Sequence, residues 1–172
     1  MSFLTTSAAS IHQLGAATAV ARRSDARLAA AAREGGTVTS WWTRSDAIAN
    51  LMLSSGWLIE QHTLRTHREL DSATEAAVRG KDVAVAGTML TNVANLVVTG
   101  LMKRRFPDGI PVAEDGAPSR QAPAAAERYW RYFRVMRPLN RALAAVAIGL
   151  TPRVNFNILR SYRPGTAWRL FT

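Results

Sequence analysis

The chain contains no cysteine. Disulfides and thiolate metal sites are therefore excluded, and the redox environment is left open. Histidine is scarce: His12, His62 and His67 are the three present. They form no His-x-x-x-His or Glu-x-x-His pair, so neither a zincin site nor a di-iron carboxylate bundle is indicated. No phosphate loop, Gly-x-Ser-x-Gly or Gly-x-Gly-x-x-Gly occurs either. Glu60, Glu69, Asp71, Glu75 and Asp82 sit mostly beside basic neighbours, as helix surface pairs and caps do. No catalytic residue, metal or cofactor is expected, and nothing positive points to an enzyme. The first 15 residues carry no basic group ahead of their short apolar stretch. They are not expected to act as a secretory signal, so the expected location is the cytoplasm or the cytoplasmic face of a membrane.

Acidic residues are missing where basic ones gather. The formal net charge is +10. Residues 1–119 hold 12 basic and 11 acidic side chains, whereas residues 120–172 hold ten arginines and one acid, Glu127. Such an imbalance between the halves points to an anionic partner for the C-terminal third.

Long uncharged runs are also few, and one dominates. Residues 83–102, VAVAGTMLTNVANLVVTGLM, carry no charge, and Lys103, Arg104 and Arg105 close the run. As a helix it would be about 30 Å long, close to the thickness of a bilayer core. Thr88, Thr91, Asn92, Asn95 and Thr99 recur at spacings of one, three and four, which places them on one arc. Val83, Ala86, Leu90, Val93, Val97 and Leu101 occupy the other arc. The reading adopted is a buried bundle helix whose polar face (Thr88, Asn92, Asn95, Thr99) bonds to neighbouring helices. A membrane helix packed against polar partners is the alternative.

The remaining punctuation predicts helices over 10–34, 44–70, 73–105 and 124–150. Ser10 to Gln13 and Ser72 to Glu75 have the capping-box pattern, and Thr43 to Asp46 resembles a further N-cap. Gly35-Gly36 ends the first helix as a C-cap signal. Ser54-Ser55-Gly56 predicts a kink in the second. Residues 107–123, rich in proline and glycine, read as a linker with turn chemistry and little regular structure. The sequence thus divides into a three-helix core over 1–106, the linker, and an Arg/aromatic helix and tail over 124–172. Thr151-Pro152 is expected to stop the last helix.

In that helix Arg128, Arg131, Arg134, Arg137 and Arg141 share a broad side, with Trp130 among them. Tyr129, Tyr132 and Phe133 fall opposite, and Trp168 lies in the basic, aromatic tail. Arginines against phosphates and rings at the acyl boundary would suit an interfacial membrane helix. The arginines, with Lys103, Arg104 and Arg105, are the expected anion-binding groups; the rings are the expected apolar contacts. The sequence therefore reads as an all-α, antiparallel bundle of about four helices, a non-catalytic subunit or adaptor docking on an anionic membrane face or a larger assembly. A nucleic-acid-associated basic protein is the alternative, a small helical enzyme with an unidentified site is the third reading, and self-association is open. Circular dichroism of the pure protein should show well over half the residues helical; a strand-dominated spectrum would end the bundle model.

Overall fold

The computed structural model describes residue 15, residues 22–23, 26–65 and 72–161, the backbone alone for 62–65 and 157–161. The described residues form an antiparallel all-α bundle with one two-stranded sheet at an end. Residues 26–33 are the described end of α1. They are followed by β1 (Thr37–Val38), α2 (Arg44–Arg65), α3 (Ser72–Arg105), β2 (Ile110–Pro111) and α4 (Ala126–Ser161).

Local chemistry sets the helix ends. Gly35 takes φ +61°, and the Gly36 amide donates to Ala31 O at 2.9 Å while the Gly35 amide donates to Ala32 O at 3.3 Å. That is the pair of bonds with which a left-handed glycine closes a helix. At the start of α2 the Thr43 amide donates to Asp46 Oδ2 at 2.9 Å and the Asp46 amide donates to Thr43 Oγ1 at 3.2 Å. Two otherwise orphaned donors are satisfied reciprocally. α2 continues through Ser54-Ser55-Gly56, where Ser54 Oγ donates to Asn50 O and Ser55 Oγ to Met52 O.

The three long helices alternate in direction. Trp57 meets Asp82 while Trp42 meets Asn92, so α2 and α3 run antiparallel. A Cβ on Gly80 would lie 3.4 Å from Leu150, and one on Gly87 would lie 3.0 Å from Leu143. α4 is therefore antiparallel to α3, and the missing side chain at Gly87 is what lets the two helices approach there.

α4 does not stop at Thr151-Pro152, as expected from sequence, but runs to Ser161 through both Pro138 and Pro152. A proline removes one N–H and crowds the preceding turn. The buried Thr151, Val154 and Asn155 anchor the turns on either side of Pro152, and Thr151 Oγ1 donates to Ala147 O at 2.9 Å. Packing outweighs the lost bond.

The segment read as a linker also carries regular structure. β2 pairs antiparallel with β1 in the register Thr37–Pro111 and Val38–Ile110. Val112 then bridges to Pro118 around a turn closed by Ala113 N–H to Ala117 O at 2.9 Å. Ile110 and Val112 are buried with Trp41, Trp42, Met102, Phe106 and Phe133 in one cluster at this end of the bundle. Proline and glycine set the turns, but two aliphatic side chains decide where the segment lies. A smaller cluster of Leu53, Ala84, Val85 and Ala147 joins the three helices further along. Replacing Ile110 with Ala should cost about 2–5 kcal/mol, the usual range for emptying a buried aliphatic site. Denaturant unfolding would measure it, and the exposed Asp108→Ala should be close to neutral.

Candidate functional site

α3 is turned opposite to an ordinary surface helix. Thr74, Ala77, Lys81, Ala84, Thr88, Thr91, Asn92, Asn95, Thr99 and Met102 are all buried. Apart from the adjacent Thr91 and Asn92 they recur at spacings of three and four along the whole helix, which draws one inward seam. Val83 and Leu90, each 72% exposed, look outward with Val93, Leu96, Val97 and Leu101. Only 39% of the most apolar 18-residue stretch of α3 is buried. The polar arc of the helix is inside, against the neighbouring helices, and its apolar arc is outside, so the helix is not buried all round.

The seam is held by hydrogen bonds from both neighbours. Trp42 Nε1 donates to Asn92 Oδ1 at 3.2 Å, and Ser40 Oγ and Thr99 Oγ1 are 2.9 Å apart. From α4, Asn140 Nδ2 donates to Thr88 O at 3.1 Å and to Thr91 Oγ1 at 2.7 Å. Thr88 Oγ1 and Thr91 Oγ1 donate back to Ala84 O and Gly87 O within α3. Asn95 differs: it is fully buried, and neither amide atom has a hydrogen-bond partner among the described residues.

Beyond the uncharged run, Lys81 Nζ donates to Glu60 Oε2 in an ion pair with both side chains almost inaccessible to solvent. Beside them Asp82 Oδ1 accepts from Trp57 Nε1 and Gln61 Nε2, both at 2.6 Å. Sequence reasoning took Glu60 and Asp82 for surface groups. Lys81 falls in the three-and-four series of buried α3 positions, and that was the available signal.

The outer surface is apolar on all three long helices. Ile48, Leu51 and Leu58 on α2 and Val135, Leu139 and Val146 on α4 are exposed, like the α3 stripe. Because the three helices meet in a common cluster, these faces point away from one another around the bundle.

The five arginines in the first half of α4 divide into two groups. Arg128, Arg131 and Arg134 are exposed. Phe106 and Tyr129 meet edge to face at 5.9 Å, which brings the exposed Lys103, Arg104 and Arg105 to the same end of the bundle. Arg137 and Arg141 are half-buried and stand apart from that set. Arg141 reaches within 3.8 Å of the buried Asp46 carboxylate, and Arg137 lines a cavity between α1, α4 and the turn at 113–117. The two lie further along α4, where its basic side meets α2 and α1.

The aromatic arc is corrected more sharply. Phe133 is fully buried, and Tyr129, Trp130 and Tyr132 are half-buried against the end cluster. Trp41 packs on Trp130 at 5.5 Å and on Phe133 at 6.3 Å. These rings form the inside of the bundle and are not laid out for an external surface. The competing tryptophans, Trp41 and Trp42, precede α2 in the chain. His62, His67 and Trp168 lie outside the residues whose side chains are described. Among the described residues no cluster of three His, Asp or Glu side chains could hold a metal ion.

No family model matches the chain, and neither a curated protein nor a solved structure shows significant similarity to it.

The seam separates two asparagines that look alike in sequence. Asn92→Leu leaves the buried Trp42 Nε1 without its acceptor and should destabilise by about 1–3 kcal/mol. Asn95→Leu removes a group that has no such partner and should be neutral or stabilising. Paired unfolding curves would decide it; equal losses at both positions would mean that Asn95 is bonded as Asn92 is.

Proposed function

We propose that this protein is a non-catalytic helical subunit seated at a membrane, with the outer faces of α2, α3 and α4 among acyl chains and the basic end against anionic headgroups. The observation that carries this reading is the inversion of α3, polar side chains inward and Val83, Leu90, Val93, Leu96, Val97 and Leu101 outward. In water the opposite arrangement is favoured by about 25 cal/mol for each Å² of apolar surface removed from solvent. In lipid no such drive exists, and close packing with hydrogen bonds between helices contributes to their association. The α3 stripe belongs to the one described helix long and apolar enough to cross a membrane, by length and composition.

Lys103, Arg104, Arg105 and Arg128 supply the complementary charge at one end of that stripe, and Arg131 and Arg134 continue it along α4, with long side chains that reach toward the headgroups. The reading places this end on the cytoplasmic side, where basic residues next to apolar helices are retained. Each contributes about 1 kcal/mol of attraction near an anionic leaflet. The sequence reading of a docked adaptor is thereby sharpened: arginines make the headgroup contact, and aliphatic side chains of α3, in place of the aromatic arc, meet the lipid.

Fractionation tests this directly. The protein should remain in a carbonate-washed membrane pellet and leave it with detergent. Leu90→Arg with Val97→Arg should release it, since each charge in the acyl region costs about 2.5–3.5 kcal/mol. Reversing Arg128, Arg131 and Arg134 to Glu should weaken flotation with anionic vesicles and leave neutral vesicles less affected. Release by carbonate alone, together with nucleic-acid retention that collapses in salt, would replace the membrane reading with the nucleic-acid one.

A further inference from the structure

Asp82 ends an otherwise apolar edge of α3. Along that edge Asp82, Ala86, Met89, Val93, Leu96 and Gly100 alternate in steps of four and three, and each is exposed or half-buried. They draw a seam about 27 Å long at 1.5 Å per residue. It is the edge next to α2, because Trp57 Nε1 and Gln61 Nε2 both donate to Asp82 Oδ1 at 2.6 Å. Leu58, beside Trp57, is exposed on the α2 side. Charge in this groove does not balance. Lys81 is taken by Glu60, and both are buried. Among the described residues Glu60 Oε1 is buried with no hydrogen-bond partner, and no basic side chain forms an ion pair with Asp82. Three charged side chains therefore sum to one negative charge, and Asp82, half-buried, is the one that reaches the surface.

We infer that the groove between α2 and α3 docks a membrane-spanning helix of a partner protein that carries one basic side chain level with Asp82. This rests on the membrane reading above and assigns one part of the outer surface to protein in place of lipid. The length of the seam matches a helix that crosses a bilayer core. Its small residues, Ala86 and Gly100, let a second helix come close, and a Cβ on Gly100 would have no atom within 4 Å. The charge selects the occupant. Ionisable groups at membrane depth pair with one another, and here the missing member is a cation. A second copy in the same membrane orientation would set Asp82 against Asp82 about the two-fold axis, so like charge acts against self-pairing on this seam. The basic end of the bundle is the Lys103 end of α3, so Asp82 lies toward the opposite leaflet. The partner's basic side chain therefore sits near the end of its helix away from the cytoplasm.

Three synthetic Leu/Ala helices of about 20 residues test the assignment. They are alike except for Lys, Leu or Glu at one position in a terminal turn. The chain has no cysteine, so Ser72→Cys, exposed at the start of α3, accepts a single dye. The full chain is floated with neutral phosphatidylcholine vesicles, and energy transfer to each dye-labelled helix is titrated. The Lys helix should associate about tenfold more tightly than the Leu helix, and the Glu helix more weakly than either. Asp82→Asn keeps an oxygen for Trp57 and Gln61, and should abolish the preference for Lys while leaving the Leu helix unchanged. Gly100 and Gly149 are both exposed with open space around them, on α3 and α4. Gly100→Phe should weaken all three helices, and Gly149→Phe should weaken none. Equal transfer from the three helices, or a Lys preference that survives Asp82→Asn, overturns this inference alone. So does dimerisation of the chain that Gly100→Phe blocks, since a second copy would then fill the groove. Failure of the protein to float overturns the membrane reading and this inference together.

Discussion

The seam of hydroxyl and amide side chains along α3 is the constraint on which the rest of the bundle depends. α2 and α4 approach α3 through Asn92, Thr88 and Thr91, and through glycine where the helices are tightest. Once that face is turned inward, the apolar arc is left outside, because the two arcs divide one helix between them. The buried ion pair of Glu60 and Lys81 follows the same logic, since Lys81 continues the seam one step below the uncharged run. A charge pair in such a place adds little net stability over an apolar pair, but losing one partner strands the other. The arrangement of charge at the opposite end is equally a result of α3. Its last turn carries Lys103, Arg104 and Arg105, and the rings of Phe106 and Tyr129 bring the first turns of α4 alongside.

Much of this was legible in the sequence. The helical class, the N-cap at Thr43–Asp46, the stop at Gly35 and the two arcs of α3 all rest on local rules: capping geometry, glycine's left-handed backbone and the helical repeat. What was not legible is how much of the apolar arc stays uncovered. The sequence reading set the polar face of α3 against its neighbours, but periodicity does not say that Leu90 is left exposed or that Asn95 is buried without a bonding partner among the described residues. The same limit hid the division of the arginines. Arg134 and Arg137 share one side of a helical wheel, but Arg137 lines the cavity at the turn 113–117, a segment whose placement is decided by Ile110 and Val112 packing on residues from elsewhere in the chain. Composition alone made that segment look unstructured, because prolines and glycines outnumber the aliphatic residues that anchor it.

The bonds from Trp42 and Asn140 to α3 also bear on motion. Apolar ridges sliding past one another exchange similar contacts, so their energy changes gradually with displacement. A hydrogen bond has one partner and a narrow range of distance and angle. With Asn140 donating to both Thr88 and Thr91 and Trp42 donating to Asn92, a shift of α3 by even part of its roughly 5.4 Å pitch loses several bonds at once. The helices are latched in one register, and any axial movement between them proceeds as a discrete step.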